Sequence, residues 1–174
     1  MKTGIAVCGL NGSGKSTLGK ALAQKLQFYF IDNEDLYFPK TDPEYIYASP
    51  RTRKEAEKLL IREVKAHEKF VFAAVKGDYK AIEPYVRYAV LIEVPKEIRM
   101  QRVKERSFQK FGSRMLPGGD LYEKEKRFFD FAESRAENTS EDWVQSLDCT
   151  VIRADGTKSV EENAAYITEL LDCF

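Results

Sequence analysis

The residues best suited to chemistry come early in the chain. Gly9-Leu10-Asn11-Gly12-Ser13-Gly14-Lys15-Ser16-Thr17 is a complete G-x-x-x-x-G-K-[ST] string, and what such a string can do is wrap a row of phosphate groups. Gly9, Gly12 and Gly14 let the backbone curl so that successive N–H groups point inward, and a helix starting there adds the positive end of its dipole. Lys15 supplies a full charge that reaches the β- and γ-phosphates, and the Ser16 hydroxyl is a ligand for Mg²⁺. Asn11, Ser13 and Thr17 complete the nucleotide-binding set. A glycine turn holding Lys-Ser by coincidence would lack the flanks present here. Thr3 to Cys8 is an apolar run that reads as a buried strand, and Leu18, Ala21, Leu22 and Leu26 follow at helical spacing.

A second reactive group follows the next β-like run, Phe28 to Ile31, which closes in Asp32-Asn33-Glu34-Asp35. In an open α/β sheet, ligands sit beyond the carboxyl ends of the strands, so these acids fall near the mouth of the phosphate loop. Asp32 and Asp35 are candidates for two jobs: holding Mg²⁺ through water, and accepting a proton from a substrate hydroxyl. An Asx turn or a helix cap is the plainer use of either. Glu34 reads as surface.

Arginines supply the remaining charge. Arg51 and Arg53 suit the anionic group of an acceptor, or a solvated helix start. Arg99, Arg102 and Arg106 lie on one predicted helix, where about 100° per residue gathers all three within an arc of roughly 60°. That ridge reads as a phosphate contact, or as a solvated face paired to glutamates such as Glu105. Arg114 lies in the glycine-interrupted stretch Phe108 to Gly119, a lid that would bring it to the transferring phosphate and keep water out. Arg127 and Arg135, on the helix after the lid, stand in reserve as substrate contacts.

The elements that must position these groups alternate. Tyr37 to Arg51 carries Pro39, Pro43 and Pro50 among Tyr37, Phe38, Tyr45 and Tyr47 without periodicity, and reads as a substrate flap. Its aromatics suit stacking on a ring-bearing acceptor or packing on the flap's own helix. From Thr52 the pattern turns helical through Ala56, Leu59, Leu60 and Val64 to His67, a helix-end or packing histidine. Phe70 to Val75 and Ala89 to Val94 are central strands. The first lacks the Asp-Glu ending of motor-type ATPases; Asp78 is a weak substitute, and Glu93 reads as structural. Capping boxes open helices at Asp120 and Ser159. Ser140 starts a short helix holding Trp143, Val144 and Leu147, and Cys149 to Ile152 is the last strand. Such alternation predicts a parallel sheet with helices on both faces.

Composition narrows the function classes. The 174 residues make one domain, and 28 basic against 28 acidic residues leave no field to draw it to nucleic acid or membrane. Cys8, Cys149 and Cys173 are too few and too scattered for a disulfide framework or a zinc site. A first strand starting almost at Met1, and apolar runs too short for a bilayer, lead us to expect a cytoplasmic protein with a small-molecule substrate.

These motifs resemble the nucleoside- and nucleotide-kinase-like P-loop phosphotransferases, which include adenylate and shikimate kinases. The loop has their G-x-x-G-x-G-K-[ST]-T form, and Val94-Pro95 followed by Arg102 and Arg106 is similar to the segment leading into their lid helix. The resemblance implies a three-layer P-loop fold, a five-stranded parallel sheet in the order 2-3-1-4-5 and a small lid. The core would comprise residues 1–35, 68–106 and 138–174, the flap 36–67, and the lid about 107–127. It implies Arg102 against the adenine, Arg106 on the phosphates, and Ala154-Asp155-Gly156-Thr157 as the adenine-side loop. Lys76-Gly77-Asp78-Tyr79 departs from the adenylate kinase Asp-Gly-Phe-Pro-Arg segment, so AMP-binding chemistry is not carried over. The acids after the second strand look more like those of shikimate or gluconate kinases.

The leading expectation is therefore a kinase, monomeric or homodimeric, using ATP and Mg²⁺ on a nucleoside, nucleotide or hydroxylated metabolite. Lys15, Asp32, Arg106 and Arg114 would be catalytic. Gly9 to Thr17 with Arg102 would bind ATP, and Ser16 and Asp32 the metal. Asp35, Arg51, Arg53, Arg127 and Arg135 would face the acceptor. The alternative is an AAA- or ABC-like ATPase, or a nucleotide sensor, without a small-molecule acceptor.

Overall fold

The structure is a computed structural model describing residues 2–77 and 79–172. Asp78 and Cys173 lie outside the described residues. Five parallel strands, β1 (Thr3–Cys8), β2 (Tyr29–Asp32), β3 (Lys69–Ala74), β4 (Val86–Glu93) and β5 (Thr150–Asp155), form one sheet in the order β2-β3-β1-β4-β5. This is the predicted order. β1 lies at its centre, with Val7 opposite Ala73 on one side and Val90 on the other. The chain runs outward from β1 to β2 first and crosses to β4 later, so the order reverses at the carboxyl end of β1, where an open α/β sheet makes its ligand crevice.

Strand alternation divides the core into two layers. Ala6, Cys8, Phe70 and Phe72 point to one face and are covered by α3 (Arg53–Ala66) through Ala56, Leu60 and Val64, and by α6 (Thr139–Gln145) through Trp143 and Val144. Ile5, Val7, Val71 and Val90 point to the other, under Leu18 and Leu22 of α1 (Lys15–Leu26) and Ala164 and Ile167 of α7 (Val160–Asp172). Each layer is apolar and tightly covered, so the strand ends, where the polar residues gather, are left for ligands.

Local chemistry sets the helix ends. Thr52 and Glu55 form a reciprocal capping box for α3, and Ser159 and Glu162 exchange the same bonds before α7. His67 closes α3, with Nδ1 2.9 Å from the Glu63 carbonyl and its ring stacked on Tyr29 at 3.5 Å between centroids. Cys8 is a buried free thiol that donates to the Val90 carbonyl, and burial pushes its pKa up.

Three expectations are corrected. α4 (Lys96–Phe111) runs four residues into the predicted lid loop before Gly112 ends it, and a 3₁₀ turn at Gly112–Met115 leads toward α5 (Tyr122–Ser134). The stretch expected to form a lid is thus a helical hairpin: Phe108 to Phe111 continue the periodicity of α4, and Gly112, at a positive φ of 56°, stops it. Asp120 does not form a capping box, because Leu121 occupies the cap and the Asp120 carboxylate is taken by Arg114. β5 begins at Thr150 and extends to Asp155, since pairing with β4 continues to Glu93 opposite Asp155. Among the described residues no helix is long and apolar enough to cross a membrane.

Candidate active site

The phosphate loop leaves β1 and turns into α1 through two residues of left-handed backbone, Gly12 at φ 82° and Gly14 at φ 90°. Gly14 is the residue that caps α1. Gly12 has a second constraint, because a Cβ there would stand 2.2 Å from the Arg99 carbonyl oxygen. The loop is therefore pressed on the first turn of α4 (short α2, Asn33–Tyr37, lies across the cleft). Among the described residues, Asn11 Oδ1 and Ser13 Oγ are buried without a hydrogen-bond partner, which leaves polar capacity in the loop for a ligand.

Arg99 makes that contact firm. It is 2% exposed, donates to the Val94 and Asn11 carbonyls, and forms a two-pronged pair with Glu137 at 2.7 Å. This corrects the three-arginine ridge. Arg99 is a tie between the loop, the end of β4 and the link after α5, with its fork occupied by protein.

Arg102 and Arg106 remain in front of the loop. With Gly12, Gly14, Lys15, Ser16 and Thr17 they line a cleft of about 180 Å³. Both terminal nitrogens of Arg102 donate to the Gly156 carbonyl at 3.0 Å, joining α4 to the turn after β5. Behind that contact, Ser13, Arg102, Gly156 and Asn163 line a further space of about 250 Å³, on the side where the resemblance puts a base.

On the other side of Lys15 lies the largest of these spaces, about 350 Å³, lined by Asn11, Lys15, Ser16, Asp32, Glu34 and Arg135 among others. Lys15 is half-buried at its floor, and its pKa is lowered from 10.5 to about 8, chiefly by burial, against the opposing charge of Asp32 and with help from Arg106. Asp32, at the end of β2, accepts the Glu34 N–H at 2.9 Å as the cap of α2. It is a cap and a cleft residue at once. Arg135, which ends α5, lies with its guanidinium 4.7 Å from the Phe131 ring centroid, has a buried Nε without a partner among the described residues, and is held below its usual pKa by burial. Ser16 and Asp32 offer the hard oxygen donors that Mg²⁺ takes.

Other predicted site residues are placed elsewhere. Asp35 is exposed and paired with Lys40 at 2.6 Å. Arg51 donates to the Asp35 and Leu36 carbonyls and so finishes α2. Arg53 lies over the Tyr79 ring at 5.5 Å. Arg127 turns back to the Glu123 carbonyl of its own helix. Arg114 is gripped by Asp120 at 2.6 Å and donates to the Glu44 carbonyl at 2.9 Å, which ties lid to flap instead of reaching the phosphate loop.

Glu34, read as surface, is the reverse case. It lines the large cleft, sits between Lys40 at 3.1 Å and the Tyr47 hydroxyl at 3.3 Å, and its pKa is lowered: burial raises it, but Lys40, Lys110 and Arg106 outweigh that. Three acids in four positions give no pattern to choose between. The direction of α2 decides, sending Asp32 and Glu34 inward and Asp35 out. Phe128 and Lys76 also line the cleft, and neither carried a distinguishing signal.

A family model described as an AAA domain matches residues 5–114, from β1 through the lid turn. The chain belongs to this family of P-loop, kinase-like proteins. The chain is also similar to an uncharacterized protein of Bacillus subtilis (strain 168), YqaC, 30% identical over 180 residues and covering 98% of both chains. A shikimate kinase of Microcystis aeruginosa is 31% identical over 111 residues, 58% of this chain and 57% of its own. The crystal structure of shikimate kinase from Bacteroides thetaiotaomicron superposes with a TM-score of 0.57 at 21% identity, covering 98% of each chain. That last likeness is one of fold.

Proposed function

We propose that this protein is an ATP- and Mg²⁺-dependent kinase that transfers the γ-phosphoryl group to a hydroxyl of a small acceptor, such as a nucleoside, nucleotide or hydroxylated metabolite. One observation carries the reading: a phosphate cradle with its lysine and a carboxylate from the next strand line a single cleft, with room beside them for a second molecule. Phosphoryl transfer asks a protein mostly for positioning and positive charge. Lys15 and the loop amides would hold the phosphate tail. Asp32 would orient the acceptor hydroxyl and take its proton. Arg106 and Arg135 would offset charge on the transferring group from opposite sides, and Arg102 would flank the base. Ser16, with Asp32 behind it, would hold Mg²⁺, which when bound neutralises charge on the β- and γ-phosphates.

The AAA-domain description favours a second reading, an ATPase or nucleotide sensor that needs no acceptor. Against it, β3 leads into Val75-Lys76-Gly77, where a motor-type ATPase carries an acidic pair. An acceptor screen followed by ADP release separates the two. A kinase shows low ADP release alone and a strong rise with one class of alcohol; ADP release that ignores every acceptor and depends on self-association defeats the proposal.

A further inference from the structure

Beside the main cleft is a smaller chamber of about 200 Å³, lined by Glu34, Phe38, Tyr45, Tyr47, Arg106 and Phe128. Glu34, Phe38 and Phe128 also line the main cleft, and Arg106 also lines the mouth of the phosphate loop. The chamber therefore adjoins both the acceptor space and the phosphates. It shares no lining residue with the space at Gly156 and Asn163 on the other side of the loop.

Its walls are rings held in place. Phe38 and Tyr47 meet edge to face at 5.1 Å and 76°, and Tyr45 and Tyr47 at 5.7 Å and 80°. Both hydroxyls are engaged: Tyr45 donates to the buried Glu125 carboxylate at 2.8 Å, while Tyr47 donates to Glu34 at 3.3 Å and accepts from Lys110. What the tyrosines can offer a ligand is thus ring surface, which favours a flat apolar group over a sugar. The Glu34 carboxylate is also committed, being paired with Lys40 at 3.1 Å, and Arg106 faces the phosphate loop as well as the chamber. Arg51, which suited an acceptor anion, instead finishes α2.

We infer that this chamber is a ring subsite of the acceptor site, so that the acceptor is an alcohol carrying an aryl or heteroaryl group set apart from the hydroxyl that is phosphorylated. The inference rests on the kinase reading of the main cleft. In the step it serves, the bond from the γ-phosphorus to the bridging oxygen breaks and its electron pair leaves with ADP. A bond forms to the acceptor oxygen, and the hydroxyl proton passes to Asp32. The ring, seated between Tyr47 and Phe128, fixes which hydroxyl reaches Asp32.

The test uses the full chain with Mg²⁺ and a non-hydrolysable ATP analogue, titrated by calorimetry with alcohols differing in one ring: glucose against phenyl β-glucoside, and ribose against adenosine. The ring-bearing member of at least one pair binds about tenfold more tightly, the scale of one aromatic stacking contact. Tyr47→Leu removes that preference and Tyr47→Phe retains it; if Tyr47→Leu unfolds, Phe128→Leu carries the same expectation. Equal affinity within both pairs, no binding by either ring-bearing member, or a preference that survives the loss of the ring overturns the subsite. ADP formation on the same pairs keeps the two readings apart. Tight ring-dependent binding without transfer overturns the kinase and leaves the subsite, whereas equal turnover with and without the ring does the opposite.

Discussion

The two sides of Lys15 are built on different principles. The proposed donor side is made by backbone: left-handed Gly12 and Gly14, the start of α1, and the Gly156 carbonyl that Arg102 grips. The proposed acceptor side is made by side chains from distant parts of the chain. Tyr45 reaches Glu125, Lys110 reaches Tyr47, and Arg114 reaches Glu44. Backbone geometry tolerates little substitution and serves one ligand, a phosphate tail. Side-chain walls can be exchanged one at a time, which is how one frame comes to serve different acceptors.

The largest loss is expected at Lys15. Lys15→Ala should lower phosphoryl transfer by about 10³-fold or more, measured by coupled ADP release, and wild-type turnover would remove the donor side altogether. Next comes the boundary between the sides. Asp32→Asn keeps a side chain able to cap α2 but not to accept a proton, so kcat should fall by about 10² to 10⁴ while the melting temperature holds. A matched loss of melting temperature would make Asp32 a cap and nothing more.

Arg99→Ala probes whether the donor loop needs its tie. It removes donors from the part-buried carbonyls of Asn11 and Val94, which costs about 1 kcal/mol of stability or more. MgATP affinity should fall with it, and acceptor affinity measured at saturating nucleotide should not. Denaturant titration and paired calorimetry read both.

A pH titration sharpens the same side. Burial lowers Lys15 to about 8 from 10.5, so the free folded protein loses this charge as pH rises through that value. Nucleotide affinity should fall as pH rises through about 8, by up to about tenfold per unit, with proton uptake on binding seen as a buffer-dependent heat. The contribution of this group to folding has the opposite sign: stability rises from about pH 8 to 10.5, because the unfolded chain keeps the proton longer. The smallest effect belongs to the acceptor side. Arg114→Ala removes an exposed pair with Asp120 and should leave the melting temperature nearly unmoved. A fall in kcat with unchanged nucleotide affinity would show that the lid-to-flap tie matters to turnover.

Much of the frame was legible because its signals are local. Thr3 to Cys8, the glycine string and the helical spacing that follows are contiguous, and each fixes its own conformation. The ends of α4 and β5 were misread because helix and strand continue as long as pairing and packing allow, whatever residue looks like a stop. The charged side chains around the loop carry no such local signal. Arg99, Arg102 and Arg106 share a helix face, yet Glu137 takes one and Gly156 another. Glu34 and Asp35 are neighbours and both pair with Lys40, yet Glu34 lines a cavity and Asp35 is exposed.

A phosphate-binding loop between a buried strand and a helix, in a parallel α/β sheet, is specified by consecutive residues and so needs no knowledge of packing. Which acids and arginines face the cleft, and the chamber that four rings from the flap and α5 enclose beside it, depend on the folded arrangement. Those groups are far apart along the chain, and their orientation follows from packing that no local spacing records.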